Sequence, residues 1–196
     1  MLLLAAGCGE RRAPSATARG PAPAAQCYDA LARRGAAFTP VAGVGDGACA
    51  VPAPVRLERT TASLHEPVIT SCAMALALYD FEERVMQPLA LRRFGLPVTR
   101  IYHYGSHACR GVAGGGGRSS AHARGLAIDV AGFELADGRI VLVGEDWHGP
   151  SAARAYLHDV ARAACDRFSV TLTPNSDRAH RDHFHFDMGP YRHCGY

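Results

Sequence analysis

The sequence predicts an α+β fold: a single domain with a small antiparallel sheet, flanked by helices and braced by disulfides. Three observations predict it. A length of 196 residues suits one domain of ordinary size with a tail. Segments with helical apolar spacing stand on either side of short strand-like runs, and a hairpin signal lies among those runs. The cysteines form an even set once the one nearest the N-terminus is put aside. Hydrophobic residues at 48% and charged residues at 20% provide enough apolar surface for a core, so the chain is not disordered as a whole. No run reaches the roughly 18 apolar residues of a membrane helix. A net charge of +3, with the basic residues scattered, speaks against nucleic acid as a partner. All 21 basic residues are arginine, which fits a GC-rich coding sequence better than a demand for phosphate forks.

Along the chain, residues 1–8 read Met1-Leu2-Leu3-Leu4-Ala5-Ala6-Gly7-Cys8. This apolar run, closing on small residues and a cysteine, resembles the last part of a bacterial lipoprotein signal. A lipid on Cys8 would be the only link to a membrane. Residues 9–26 are rich in Ala, Pro, Arg and Ser without periodicity and are expected to form a disordered tether, so the folded domain is assigned to 27–196. Cys27, Cys49, Cys72, Cys109, Cys165 and Cys194 form no Cys-x-x-Cys pair, which removes local support for a zinc knuckle or a thioredoxin-like site. Beside an export signal they fit disulfides made in an oxidising compartment, the periplasm or cell envelope, with every pairing left open.

A helix is expected from Ser71 to Phe94, with Ala75, Leu78, Tyr79, Val85, Met86 and Leu89 facing inward and Glu82, Glu83, Arg92 and Arg93 outward. Pro88 should kink or divide it, and Gly95 should end it. A second helix from Ser151 to Asp166, after Gly149-Pro150, turns Tyr156, Leu157, Val160 and Ala164 to the core. Strand-like runs are Val98 to Tyr102, Leu126 to Phe133, Arg139 to Val143, Phe168 to Leu172 and His183 to Asp187, with Ala136-Asp137-Gly138 as the hairpin turn. Gly114 to Gly117 lack a following Gly-Lys-Ser/Thr, so they are not a phosphate loop and read as a mobile connection.

Two places carry chemistry. In Ser120-Ala121-His122-Ala123-Arg124-Gly125-Leu126-Ala127-Ile128-Asp129, a histidine precedes an aspartate by a spacing that would separate them by about 10.5 Å on a helix. Ligands of one ion, with bonds of about 2 Å, must come much closer. The chain therefore has to double back, and Gly125 permits that turn. In His180-Arg181-Asp182-His183-Phe184-His185-Phe186-Asp187, strand alternation puts His183, His185 and Asp187 on one face and buries Phe184 and Phe186 on the other. His183 and His185 would stand about 6.6 Å apart at Cα, so one can bind a metal while the other meets water beside it. Asp187 and Asp182 are candidates to orient an imidazole. His65, His103, His107, His148, His158 and His193 read as ordinary packing or surface residues.

The pattern Ser-x-His-x-x-Gly-x-Ala-x-Asp with a later His-x-His resembles the zinc peptidases that include D-Ala-D-Ala carboxypeptidases, the penicillin-insensitive murein endopeptidase, lysostaphin and the hedgehog domain. Over roughly residues 27 to 194 the chain is also similar to the bacterial extensin-like C-terminal family. That likeness rests on the cysteine pattern, Val85-Met86-Gln87-Pro88, Gly132-Phe133, Ala136-Asp137-Gly138 and Asp182-His183-Phe184-His185. The resemblance implies Zn2+ held by His122, Asp129 and His185, with His183 beside the bound water. The carboxypeptidases use a Glu-x-Trp-His segment there, which this chain lacks, so the murein endopeptidase is the nearer analogue. His180 matches the first histidine of its His-x-x-His-x-His pattern, and Arg110 corresponds to an arginine that steadies the substrate carbonyl. The implied activity is that of a zinc amidase or endopeptidase acting on peptidoglycan stem peptides or cross-links. The alternatives are a zinc-containing wall-binding module without turnover and a purely structural secreted domain.

Overall fold

The computed structural model describes residues 23–111, 120–149 and 151–196. The apolar start with Cys8, the tether as far as residue 22, Gly114 to Gly117 and Pro150 lie outside the described residues. The elements are α1 (Pro23–Arg33), β1 (Ala37–Pro40), β2 (Pro54–Arg59), β3 (Ser63–Ser71), α2 (Cys72–Phe81), α3 (Gln87–Phe94), β4 (Val98–Gly105), β5 (Ala127–Leu135), β6 (Ile140–Leu142), α4 (Val143–Asp146), α5 (Ser151–Cys165), β7 (Val170–Leu172), β8 (Phe184–Asp187) and β9 (His193–Gly195). Helix α1 begins at Pro23, so it takes in the end of the stretch read as a tether.

The α+β class holds, but the sheet is neither small nor purely antiparallel. It is nine-stranded in the order β1-β2-β3-β4-β5-β8-β7-β9, with β6 also paired to β5. Two neighbour pairs, β3/β4 and β7/β9, are parallel. The first follows from the connection: β3 runs directly into α2, and a helical crossover returns the chain in the same direction. Strand β5 is the hub. Along one edge it pairs with β4, and along the other it meets β8 at its start and β6 at its end. Gly132 lets β6 cross closely, since a Cβ there would lie 2.7 Å from the Val141 carbonyl oxygen.

Ile128, Val130, Phe133, Phe184 and Phe186 point into the core, which α2, α3 and α5 complete with Ala75, Leu78, Leu89, Tyr156, Leu157 and Val160. Phe81 meets Phe186 edge-on at 5.6 Å, and Phe133 meets Tyr156 at 5.3 Å. Helices thus cover one face of β5 and β8, which leaves the other face for Asp129, His185 and Asp187. Disulfides Cys27–Cys72, Cys49–Cys109 and Cys165–Cys194 close separations of 45, 60 and 29 residues. Loops of that size correspond to roughly 3–4 kcal/mol each in the chain-entropy picture.

The long helix departs from expectation at one residue. The helix is divided into α2 and α3 by a π-helical turn, Glu82–Met86. Pro88 then falls in the first turn of α3, where its missing N–H is tolerated. The wider turn swings Glu82 inward, so this residue, expected outside, is fully buried. Its carboxylate accepts hydrogen bonds from the Thr60 and Thr61 hydroxyls, from the Ala62 backbone N–H at 2.5 Å and from Gln87 Nε2 at 3.3 Å. Burial pushes its pKa up, against those hydrogen bonds. Gln87 also pairs with the backbone of Val98, accepting from its N–H at 2.9 Å and donating to its carbonyl at 2.8 Å. Glu82→Ala strands the donors of the β2–β3 turn and is expected to cost about 3 kcal/mol, read from the urea midpoint.

Candidate metal centre

His122 rides on a 3-10 turn, Ala121–Arg124, opened by the Ser120 side chain accepting from the His122 N–H at 3.3 Å. Gly125 closes it at φ 59°, left-handed as the sequence requires. A Cβ at Gly125 would lie 2.9 Å from Ser71 N. The bare glycine therefore lets its carbonyl accept from Ser71 N and Thr70 Oγ1, each at 3.0 Å, and this docks the turn on the end of β3.

Asp129 and His185 are register partners across the β5/β8 pair. Directly opposed residues of an antiparallel pair hold their Cβ atoms about 5 Å apart, so the ladder itself brings imidazole and carboxylate together. Three ligand atoms converge. His185 Nδ1 lies 2.9 Å from Asp129 Oδ1, and His122 Nε2 lies 3.1 Å from His185 Nδ1 and 3.2 Å from Asp129 Oδ1. Among the described residues, these form the group of His, Cys, Asp and Glu side chains able to hold a metal ion. Metal bonds of about 2.05 Å in a tetrahedron give ligand separations of about 3.3 Å, close to what this trio has.

The hydrogen-bond commitments fit the same conclusion. His122 Nδ1 donates to the Ser106 carbonyl at 2.6 Å, and His185 Nε2 donates to Asp187 Oδ2 at 3.2 Å. His122 has thus spent its proton on the carbonyl and turns its Nε2 lone pair toward His185 Nδ1 and the Asp129 carboxylate, an arrangement satisfied by a cation or by a proton on His185 Nδ1. Burial opposes charge on His185, but hydrogen bonds and negative charge from Asp129 and Asp187 outweigh it and push the imidazole up to about 9. Burial likewise works against the Asp129 carboxylate, yet His122 and His185 hold it well below the usual carboxylate range.

The other expected residues gather unevenly. His183 precedes β8, with Nδ1 2.9 Å from Asp182 Oδ1 and Nε2 3.8 Å from Asp129 Oδ1. It stands at the trio without joining it. His180, with Nδ1 on Asp177 Oδ1 at 2.8 Å, brings its ring to 5.2 Å from His183 and 5.8 Å from His185. Arg110 lies beside the Cys49–Cys109 disulfide, and its carbonyl accepts from Ser120 N at 3.2 Å. Its side chain is exposed and makes no hydrogen bond with the trio among the described residues. The Ser106 carbonyl was not foreseen, because a backbone oxygen acting as an imidazole anchor leaves no residue-type signal.

A family model described as extensin-like protein C-terminus matches residues 25–195. The chain belongs to that family. No curated protein and no solved structure matches it. In this extensin-like domain the motifs that carried the resemblance have distinct structural places. Gln87 closes the start of β4, Gly132 lets β6 cross β5, and Asp182 to His185 lie at the trio.

Two outcomes are expected of the extensin-like domain. One divalent ion should bind per chain by elemental analysis, His185→Ala and Asp129→Ala should lose it, and Asp187→Asn should weaken it by about 10- to 100-fold. In chelated protein, the raised His185 contributes stability that is whole below about 6.5 and disappears as pH climbs through about 9. The depressed Asp129 adds stability present above the ordinary carboxylate range and lost as pH falls well beneath it. The Tm of chelated protein should therefore decline from pH 6.5 to 9, and His185→Asn should flatten that decline.

Proposed function

We propose that this domain is a zinc-dependent amidase or endopeptidase acting on peptidoglycan stem peptides or cross-links outside the cytoplasm. The observation that carries the reading is His183. Its Nδ1–H is held by Asp182, so its Nε2 lone pair faces the trio from 3.8 Å off Asp129, outside the ligand group itself. A closed structural site would have drawn in a fourth ligand, whereas three ligands with a basic nitrogen alongside suit hydrolysis. Zinc held by His122 Nε2, Asp129 Oδ1 and His185 Nδ1 would supply a Lewis acid and acidify water to a pKa of about 7.

The chain's own groups account for the proton movements. His183 Nε2 takes a proton from the attacking water and delivers it to the leaving amine as the amide C–N bond breaks, so one water is consumed per bond. Asp182 fixes the tautomer and offsets the charge on the ring meanwhile. His180, held by Asp177, lines the same side and is assigned the second proton-handling position. Arg110 is retained as a cation for the substrate carbonyl, on the strength of the motif resemblance and its place at the foot of the His122 turn. Likeness to zinc peptidases supports zinc over other divalent ions. Disulfides support the periplasm or cell envelope, and the Cys8 motif supports a lipid anchor there. No helix among the described residues is long and apolar enough to cross a membrane.

Digestion of purified sacculi with muropeptide analysis tests the reading. New products are expected, and chelation and His183→Ala should each reduce them by about 10²-fold or more. Cleavage that survives both would end the proposed mechanism. Zinc-bearing protein that sediments with sacculi and releases nothing would identify a wall-binding module instead.

A further inference from the structure

The β4/β5 ladder carries paired irregularities beside the trio. Tyr102 is opposite Gly132 and His103 opposite Val130, which skips Ala131, and Gly105 is then opposite Asp129, which skips Tyr104. Each strand thus holds one extra residue, and the extra residue on β4 sits next to the position facing a ligand carboxylate. Bulges of this kind re-aim side chains, and they cluster at functional sites.

What the bulge re-aims is an aromatic ring. Tyr104 is 62% exposed, although His103 just before it is buried. Its ring stands edge-on to His183, with centroids 5.4 Å apart and planes at 74°. Two tyrosines have their hydroxyls committed to the protein, Tyr79 donating to the Arg34 carbonyl at 2.6 Å and Tyr102 to Glu134 Oε2 at 2.8 Å. The Tyr104 hydroxyl makes no hydrogen bond among the described residues. Asp182 and Arg181 are its charged neighbours, the first of them also the anchor of His183. A ring held at the rim of a polar site, with one edge on the proton-handling imidazole and most of its surface in water, has little folding role to explain it. Covering exposed aromatic surface is favourable, so an incoming ligand has much to gain there.

We propose that Tyr104 is a substrate-contacting residue of this site, a wall against which the peptide lies as its amide approaches His183. The assignment rests on the hydrolase reading above for the identity of the ligand. The ring supplies the contact, so phenylalanine should serve nearly as well as tyrosine.

The test uses the zinc-loaded full chain and purified sacculi, with two readouts: sedimentation with sacculi, which needs no turnover, and the sacculus concentration giving half-maximal muropeptide release. Tyr104→Ala should raise half-saturation by about five- to tenfold and weaken sedimentation to match, with the maximal rate within about twofold and zinc content unchanged. Tyr104→Phe should stay within about twofold of wild type in both readouts. Wild-type sedimentation and half-saturation in Tyr104→Ala would overturn the inference while leaving the hydrolase reading intact, as would a loss confined to the maximal rate. If wild type sediments but releases nothing, the hydrolase reading fails alone and the loss of sedimentation in Tyr104→Ala still supports the contact. If wild type neither sediments nor releases products, both are overturned.

Discussion

The register between β5 and β8 is the constraint from which the rest of the site follows. Setting Asp129 opposite His185 also sets Val130 opposite Phe184 and Ile128 opposite Phe186. The apolar pairs are buried under the helices, and the polar pair points the other way. A slip of one residue would turn two phenylalanines to the polar side and push an imidazole into the core, so burial of the aromatic pairs enforces the alignment of Asp129 with His185. Core packing and site geometry are here one decision made at the same residues.

Around that pair, each anchor is itself anchored. The Ser106 carbonyl that holds His122 belongs to a residue whose hydroxyl donates to the Ala127 carbonyl at 2.5 Å and lies 2.8 Å from Thr70 Oγ1. Asp187, which holds His185, accepts from Gly189 N at 2.8 Å. The Ala108 N–H donates to the His122 carbonyl at 3.1 Å, next to the Cys49–Cys109 disulfide. Imidazole orientation is therefore fixed by β3, β4 and β5 together, with little left to side-chain rotation, which is what a preorganised ligand set requires.

Much of this was legible in the residues, and what was hidden was hidden for physical reasons. Helix α5 and strands β5 and β8 announce themselves through periodicity, and the trio through residue types that seldom cluster without purpose. Strands β1 to β3 do not. Strand β2 reads Pro54-Val55-Arg56-Leu57-Glu58-Arg59, too brief an alternation to stand out, and β3 is interrupted by His65, Glu66 and Pro67. With them went the parallel pairing and the true size of the sheet. Helix α1 begins in an alanine-rich stretch that composition alone assigns to a tether. Glu82 faced the wrong way because one wider turn shifts helical phase, which no periodicity count registers. Ser106 acts through its carbonyl, which every residue type possesses.

The trio also joins distant parts of the chain. His122 and His185 stand 63 positions apart, a longer span than any of the three disulfides closes. Such a grip is complete only after β8 has paired with β5, since His185 reaches His122 and Asp129 across that ladder. A half-synthesised molecule consequently lacks the complete centre, and whatever chemistry the centre performs is withheld until strand β8 has been made and laid into the sheet.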